Sequence, residues 1–281
     1  MSNHPLGAVL CALLAAALFA VAAVTQHRAA ATVPEGAALV GSLMRDPRWW
    51  AGIVGDVGGY AAQVAALALG SVLLVQPLLV SALVFALPLS ARLNGRRITG
   101  RTWATALALT AALAIFLLVG DPTAGNSIAP LRDWTVSLIV LLCAIGGAIA
   151  IGAESPDPAR RALLFGAAGG ALFGLAAALT IGVTDLADRG PGAVLSSWQL
   201  WGLVCAGLAG IYLQQRAYQV GPLTASLPAV TIAEPIVAAV LGATVLDERL
   251  RTNAFGLIVV AVSVVVMCAT TIRLSRMQAE T

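Results

Sequence analysis

Nine apolar segments run through the chain, at about residues 5–24, 49–69, 72–93, 102–120, 134–152, 162–182, 198–215, 223–245 and 252–272. A helix needs roughly 20 such residues to cross the hydrocarbon core of a bilayer. In lipid every backbone amide and carbonyl must find a partner inside the protein, and a helix supplies those partners from its own chain. The sequence therefore predicts an all-α, polytopic membrane protein of about nine transmembrane helices.

Two joins between segments carry little polar sequence. Residues 49 to 91 form one run broken only by Asp56, Gln63, Gln76 and a few serines. As a single helix the run would be about 65 Å long, roughly twice the bilayer core. It must fold back, and Gly70-Ser71 is the predicted turn. Gly221-Pro222 marks the second join. The first segment is preceded by His4 and no Lys or Arg, so it reads as an uncleaved helix and not as a secretory signal.

Composition removes other classes. The chain is 59% hydrophobic and 10% charged, where a soluble domain has about 45–50% and 25%. A soluble enzyme, a disordered chain and a nucleic-acid binder are excluded. The net charge of +3 comes from 16 Arg against 13 carboxylates, with no Lys. The Lys-free, Ala-rich composition points to a GC-rich bacterial genome. Cys11, Cys143, Cys205 and Cys268 each lie in an apolar stretch and form no CxxC pair, so they read as buried free thiols.

Arginine sidedness gives the orientation. With nine spans, Arg28, Arg45, Arg48, Arg92, Arg96, Arg97, Arg101, Arg160, Arg161, Arg216, Arg273 and Arg276 fall on one side. Arg132, Arg189, Arg249 and Arg251 fall on the other. The Arg-rich side is expected to be cytoplasmic. The expectation is a multi-pass protein of the bacterial plasma membrane, N-terminus out and C-terminus in.

An internal repeat emerges when the chain is shifted by about 152 residues. Trp49 falls on Trp201, Gly55 on Gly207, Gly58 on Gly210, Tyr60 on Tyr212, Gln63 on Gln215 and Arg97 on Arg249; Trp103 meets Phe255, and Pro77 lies one place from Pro228. The shift pairs segments five spans apart, so paired helices run in opposite directions. That is the sequence trace of an inverted-topology repeat. The expected division is four helices in residues 1–125 and five in 126–281, the fifth helix lacking a partner, together forming one membrane domain.

The stretch PLTASLPAVTIAEPIVAAVLGATVLDERLRTNAFGLIVVAVSVVV, residues 222–266, resembles the end of an EamA-type member of the drug/metabolite transporter superfamily. It has the Pro-containing helix, the acidic-Arg-Leu turn at Asp247-Glu248-Arg249-Leu250, and a following helix opened by Gly256. The first half is similar to the NIPA-type magnesium transporter branch, through Trp49-Trp50, Gly55-Asp56, Tyr60 and Gln76-Pro77-Leu78. The likeness spans the second to fourth and seventh to ninth segments. It departs at Arg96-Arg97, where the family has an acidic-Arg turn, at Asp56, where it has Glu, and in helix number, many members having ten. The resemblance implies a carrier fold and a transport activity.

Of the thirteen carboxylates, only Asp56 and Glu234 fall inside predicted spans. A charge at that depth costs about 2.5–3.5 kcal/mol on insertion scales. No intramembrane Arg or His neutralises either group, so each is expected to carry a proton or to meet water, a cation or a solute. For Glu234 the other reading is a protonated acid bonded to a carbonyl freed by Pro235. For Asp56 it is a vestibule residue with no direct role.

Asp56, Tyr60 and Gln63 share one helix face, and Tyr212, Gln215 and Gln219 repeat the spacing. The two stripes either line opposite walls of a central cavity or act as interhelical glue. Gln76 joins the candidate solute-binding set. Pro77, Pro88, Pro228 and Pro235 fall in segments three and eight and mark candidate moving kinks, with packing kinks as the other reading. Gly166, Gly170 and Gly174 read as close helix packing. Trp49, Trp50, Trp103, Trp134, Trp198 and Trp201 read as an interfacial belt. Residues 153–161 read as a linker between halves, and 183–197 as a longer solvated loop.

No GxSxG, HExxH, Walker loop or CxxC occurs. The expectation is a non-enzyme without a cofactor: a secondary transporter moving a small metabolite or drug-like solute by alternating access, with proton coupling. One alternative is a magnesium or other divalent-cation transporter, with Asp56 and Glu234 as its metal-facing carboxylates. A second is a non-transporting subunit of an envelope or lipid pathway. Expected partners are the solute, a proton or cation and the bilayer, with no nucleic acid, in a monomer or homodimer.

Overall fold

The computed structural model describes residues 5–31, 39–93, 99–123, 125–126, 129–221 and 223–279. His4, Arg96, Arg97 and Pro222 lie outside them. The described chain is almost entirely helical. In order the helices are α1 (Pro5–Ala31), α2 (Leu39–Leu43), α3 (Pro47–Leu69), α4 (Val72–Leu79), α5 (Ala82–Leu93), α6 (Gly100–Gly120), α7 (Leu131–Glu154), α8 (Pro158–Ala187), α9 (Pro191–Leu195), α10 (Trp198–Val220), α11 (Leu223–Thr244) and α12 (Ala254–Ala279).

All nine apolar segments are helical. Among the described residues six helices are long and apolar enough to cross a membrane: α1, α3, α6, α7, α8 and α12. The third segment breaks at Val80–Ser81 into α4 and α5, and in α11 the continuous stretch of described side chains is Pro228–Thr244. α10 is diluted by Gln199, Gln214, Gln215, Arg216 and Gln219.

The turn at Gly70-Ser71 forms as expected. Gly70 ends α3 in an extended conformation, and the Ser71 hydroxyl caps α4 by accepting from Leu74 N at 3.2 Å. The break after α4 has a local cause. Pro77 has no amide to give, and the chain tightens to three-residue turns, Val80 N to Pro77 O at 3.2 Å and Ser81 N to Leu78 O at 3.0 Å. α11 carries Pro228 and Pro235 without such a break.

Two expectations are corrected. The region 183–197 is mostly helix, because α8 runs to Ala187 and α9 fills Pro191–Leu195. Trp134 is not part of an interfacial belt. It is 2% exposed and meets Trp198 edge to face at 5.5 Å, tying the start of α7 to the start of α10.

α8 is the buried centre, packed along both α10 and α11. Its glycines make that possible. A Cβ on Gly166 would stand 2.8 Å from the carbonyl oxygen of Ser226, and one on Gly174 would stand 2.5 Å from that of Glu234; Gly170 meets the Val230 carbonyl in the same way. Each step is four residues on both helices, so the GxxxG ridge lies directly on the α11 backbone. α1 packs along α3 and also touches α4 and α5, α6 packs along α12, and α4 meets α11.

The two parts of the chain repeat local detail. α3 and α10 each have 23 residues, and their first residues, last residues and terminating glycines, Gly70 and Gly221, all differ by 151 positions. Trp50 Nε1 donates to Met44 O at 2.9 Å, and Trp201 Nε1 donates to Leu195 O at 3.0 Å. Gly59 lies under the ring of Phe19, and Gly210 under that of Phe173. The displacement is thus 151 and not 152. It matches Trp50 with Trp201, Gln63 with Gln214 and Pro77 with Pro228.

Candidate functional site: polar residues at the interface of the two halves

α4 packs against both α1 and α11. Nearly every residue along it is buried, including Val72, Leu73, Val75, Gln76 and Leu78. Gln76 is 1% exposed, and among the described residues neither its Oε1 nor its Nε2 has a hydrogen-bond partner. An orphaned buried polar atom costs about 1–3 kcal/mol. Gln76 carries two on one side chain, next to Pro77 and one turn before the helix break.

Glu234 lies on the facing helix α11. Its backbone is pressed against Gly174. Its side chain is half-buried, and no hydrogen bond or ion pair ties it down among the described residues. Gly242, eight residues on, lies 3.6 Å (from its ideal Cβ position) from the Cβ of Val72, at the start of α4. Eight residues of helix are about 12 Å. Glu234 is therefore about 12 Å along α11 from that contact.

Asp56 on α3 is half-buried and accepts from Gln26 Nε2 at 2.5 Å. Gln26 sits near the end of α1, beyond the apolar limit read from the sequence. The Tyr60 hydroxyl lies 3.1 Å from Thr180 Oγ1. Thr180 already donates to Ala176 O at 2.8 Å, so Tyr60 is the donor. This contact joins α3 to α8. Gln63 is buried.

The two polar stripes do not face each other. α10 turns Ala206, Gly210, Leu213 and Ala217 inward, where Gly169 and Phe173 of α8 meet Gly210. Tyr212 lies about 200° around the helix from Gly210 and is 64% exposed. Gln215 is half-buried, and Gln219 is exposed, accepting weakly from Arg216 at 3.5 Å. Tyr212 therefore stands on the outer face of α10. At a displacement of 151 the counterpart of Gln63 is Gln214, which is half-buried and whose backbone nitrogen lies 3.1 Å from the ideal Cβ position of Gly169. Of the four prolines, Pro77 and Pro228 are buried, Pro235 is half-buried and Pro88 is exposed.

Glu248 is the residue that sequence reading placed in a solvated turn and the structure buries. It is 3% exposed. Its Oε1 accepts from Val72 N at 2.8 Å and its Oε2 from Leu73 N at 2.9 Å, the first amides of α4. Gly242 leaves room for it, since a Cβ there would stand 2.8 Å from Oε2. Burial pushes the Glu248 carboxyl up to about 7, against the opposing pull of the Leu73 and Val72 amides. Its neighbours Asp247 and Arg249 pair with each other at 2.8 Å in solvent. No periodicity marks Glu248 as buried; only its place beside an unpaired helix start does.

The same turn is clasped by the α6–α7 loop. Thr123 N donates to Arg249 O at 2.9 Å, Asn126 N to Leu246 O at 2.5 Å and Arg251 N to Asp121 O at 3.3 Å, with Pro122 and Leu250 forming an isolated antiparallel bridge. Among the described residues no cluster of three or more His, Cys, Asp or Glu side chains has the arrangement of a metal site.

The chain is 39% identical to an uncharacterized protein of Corynebacterium glutamicum over 276 residues, which cover 96% of this chain and 94% of that one. No family model matches the chain, and no solved structure is similar to it.

Proposed function

The chain belongs to one family with that Corynebacterium glutamicum protein, and from its own residues we propose that it is a secondary transporter of a small polar solute, working by alternating access. The observation that carries this reading is the duplication. Helices of equal length, the same glycine ends and the same indole-to-carbonyl bond recur at a displacement of 151 residues, and Gly59 and Gly210, also 151 apart, each lie against a phenylalanine ring. The paired apolar segments lie five apart in order, so the halves would run in opposite directions through the bilayer, as four helices plus five. Two inverted halves have two packings of similar energy, one open to each face, and a static scaffold has no use for that.

The interface chemistry supports the same reading. Among the described residues Gln76 is a buried donor and acceptor without a partner, and Glu234 is a carboxylate inside an apolar helix without one. A solute offering a hydrogen-bond donor beside an acceptor would satisfy both atoms of Gln76. A cationic group or a proton would satisfy Glu234. The break between α4 and α5 gives the first half a hinge within the same layer. The resemblance to the drug/metabolite transporter superfamily agrees with this arrangement, as does the Arg bias for a bacterial plasma-membrane orientation with the N-terminus outside.

The test is solute counterflow in proteoliposomes, screening amino acids, purines, cationic amines and magnesium, with Gln76→Leu and Glu234→Gln beside the unsubstituted protein. The proposal expects uptake of at least one solute and its loss in both variants. Uptake of magnesium alone, abolished by Asp56→Asn and untouched by Gln76→Leu, would replace the solute carrier with a cation transporter.

A further inference from the structure

The Glu248 contact crosses the chain's duplication. The carboxylate belongs to the α11–α12 turn of the second half, and the amides it meets open α4 of the first. Around it the two halves are also joined by the backbone clasp between residues 121–126 and 246–251. Any motion that parts α4 from α11 on this face must draw Glu248 out of its site. Out of the site it is an ordinary carboxylate in water.

We propose that Glu248 is a proton-binding site that latches the two halves on this face: with its proton it stays docked on the first turn of α4, and without it the carboxylate leaves for water and frees α4 from the α11–α12 turn. This rests on the carrier reading for its role in transport, though not for the latch itself.

The direction follows from a contest of two effects. The two amides and the helix start favour the anion. Removal from water favours the neutral acid. Burial prevails, and the docked carboxyl holds its proton up to about pH 7. Oε2 lies beside the last turn of α11, 2.8 Å from the ideal Cβ position of Gly242. Among the described residues no other buried titratable group complicates the site. α4 and the last two turns of α11 bring none, and α1 brings only Cys11 in its first five turns. From the flanking loops come Asp121, Asp247, Arg249 and Arg251, all exposed, with Asp247 and Arg249 paired to each other.

Linkage then sets the pH profile. The latch is fully held below the carboxyl's free value of 4.5 and weakens as pH rises through about 7. The open-to-latched ratio should climb by up to about tenfold per pH unit across that window and level off above it.

The experiment places Val72→Cys in a protein whose Cys11, Cys143, Cys205 and Cys268 are replaced by Ala, and measures the rate of labelling by a thiol reagent from pH 5 to pH 8. Val72 is fully buried when docked. Because thiol reactivity itself rises with pH, each rate is divided by that of the same protein carrying Glu248→Gln, a neutral isostere with nothing to titrate. The expected quotient rises with pH and flattens above about 7. A quotient independent of pH, or falling with it, overturns the latch. If Val72→Cys does not fold, hydrogen exchange of the Val72 and Leu73 amides, unsubstituted protein against Glu248→Gln, reads the same quantity with the same two outcomes. Neither measurement needs a solute. A rising quotient with no solute flux would leave the latch standing and remove the carrier; flux with a flat quotient would do the reverse.

Discussion

Glu248, in the turn between α11 and α12, accepts a hydrogen bond from the backbone amide of Val72 at 2.8 Å, so a side chain far along the chain caps the start of α4. An unpaired helix start buried in a membrane protein has no water to satisfy it. The cap that α4 needs is shared between its own Ser71 and a residue 176 positions away.

Glu248→Ala should therefore destabilise the protein by about 2–3 kcal/mol, because two buried amides lose their acceptor at once. Thermal unfolding in detergent reads this as a lower midpoint. The pH dependence has a definite sign. The raised carboxyl contributes most below pH 4.5, and its contribution is lost as pH rises through about 7. The midpoint gap between the unsubstituted protein and Glu248→Gln should move with pH across that window.

Gln76→Leu should raise stability by about 1–3 kcal/mol, since it removes two orphaned polar atoms from a site that is 1% exposed. The same change should abolish solute uptake. Greater stability with lost function marks a residue kept for what it binds. A fall in stability would mean that Gln76 has a structural partner.

Gly170→Leu should prevent correct folding or cost about 1–3 kcal/mol or more by overpacking, because even a Cβ at that position collides with the Val230 carbonyl. Gly146→Leu on α7, where a Cβ would meet nothing within 4 Å, is the matched control and should leave the thermal midpoint unchanged.

Much of this architecture was legible in the sequence because it depends on local chemistry. Apolar run length marked the helical stretches, six of them long enough to span among the described residues, Gly70-Ser71 set a turn, and Gly166, Gly170 and Gly174 announced a close contact without naming α11 as its partner. What was not legible depends on tertiary placement. Gln26 gains meaning only beside Asp56, and Thr180 only beside Tyr60. Glu248 sits in a mostly charged run, Asp247 to Arg251, that reads as a loop, and the charged neighbours Asp247, Arg249 and Arg251 are indeed exposed. The repeat was read one residue out of register because side-chain identities in apolar helices are few. Helix ends fix the register at 151, and Tyr212 then loses its match to Tyr60 and turns outward.

Inversion of the halves has its own check. Met44 and Leu195 are exposed and occupy equivalent places, each accepting from an indole six residues on. Single cysteines at these two positions should be labelled by an impermeant reagent from opposite faces of the membrane. Labelling from the same face would mean that the halves are parallel.

The most direct test of the carrier account is proton movement in sealed proteoliposomes when a solute gradient is applied, with Glu234→Gln as the comparison. The account predicts a solute-driven proton flux that the variant loses while remaining folded. Solute-independent silence in both proteins, with the variant indistinguishable from the unsubstituted chain, would contradict it and leave Glu234 a structural residue of a membrane scaffold.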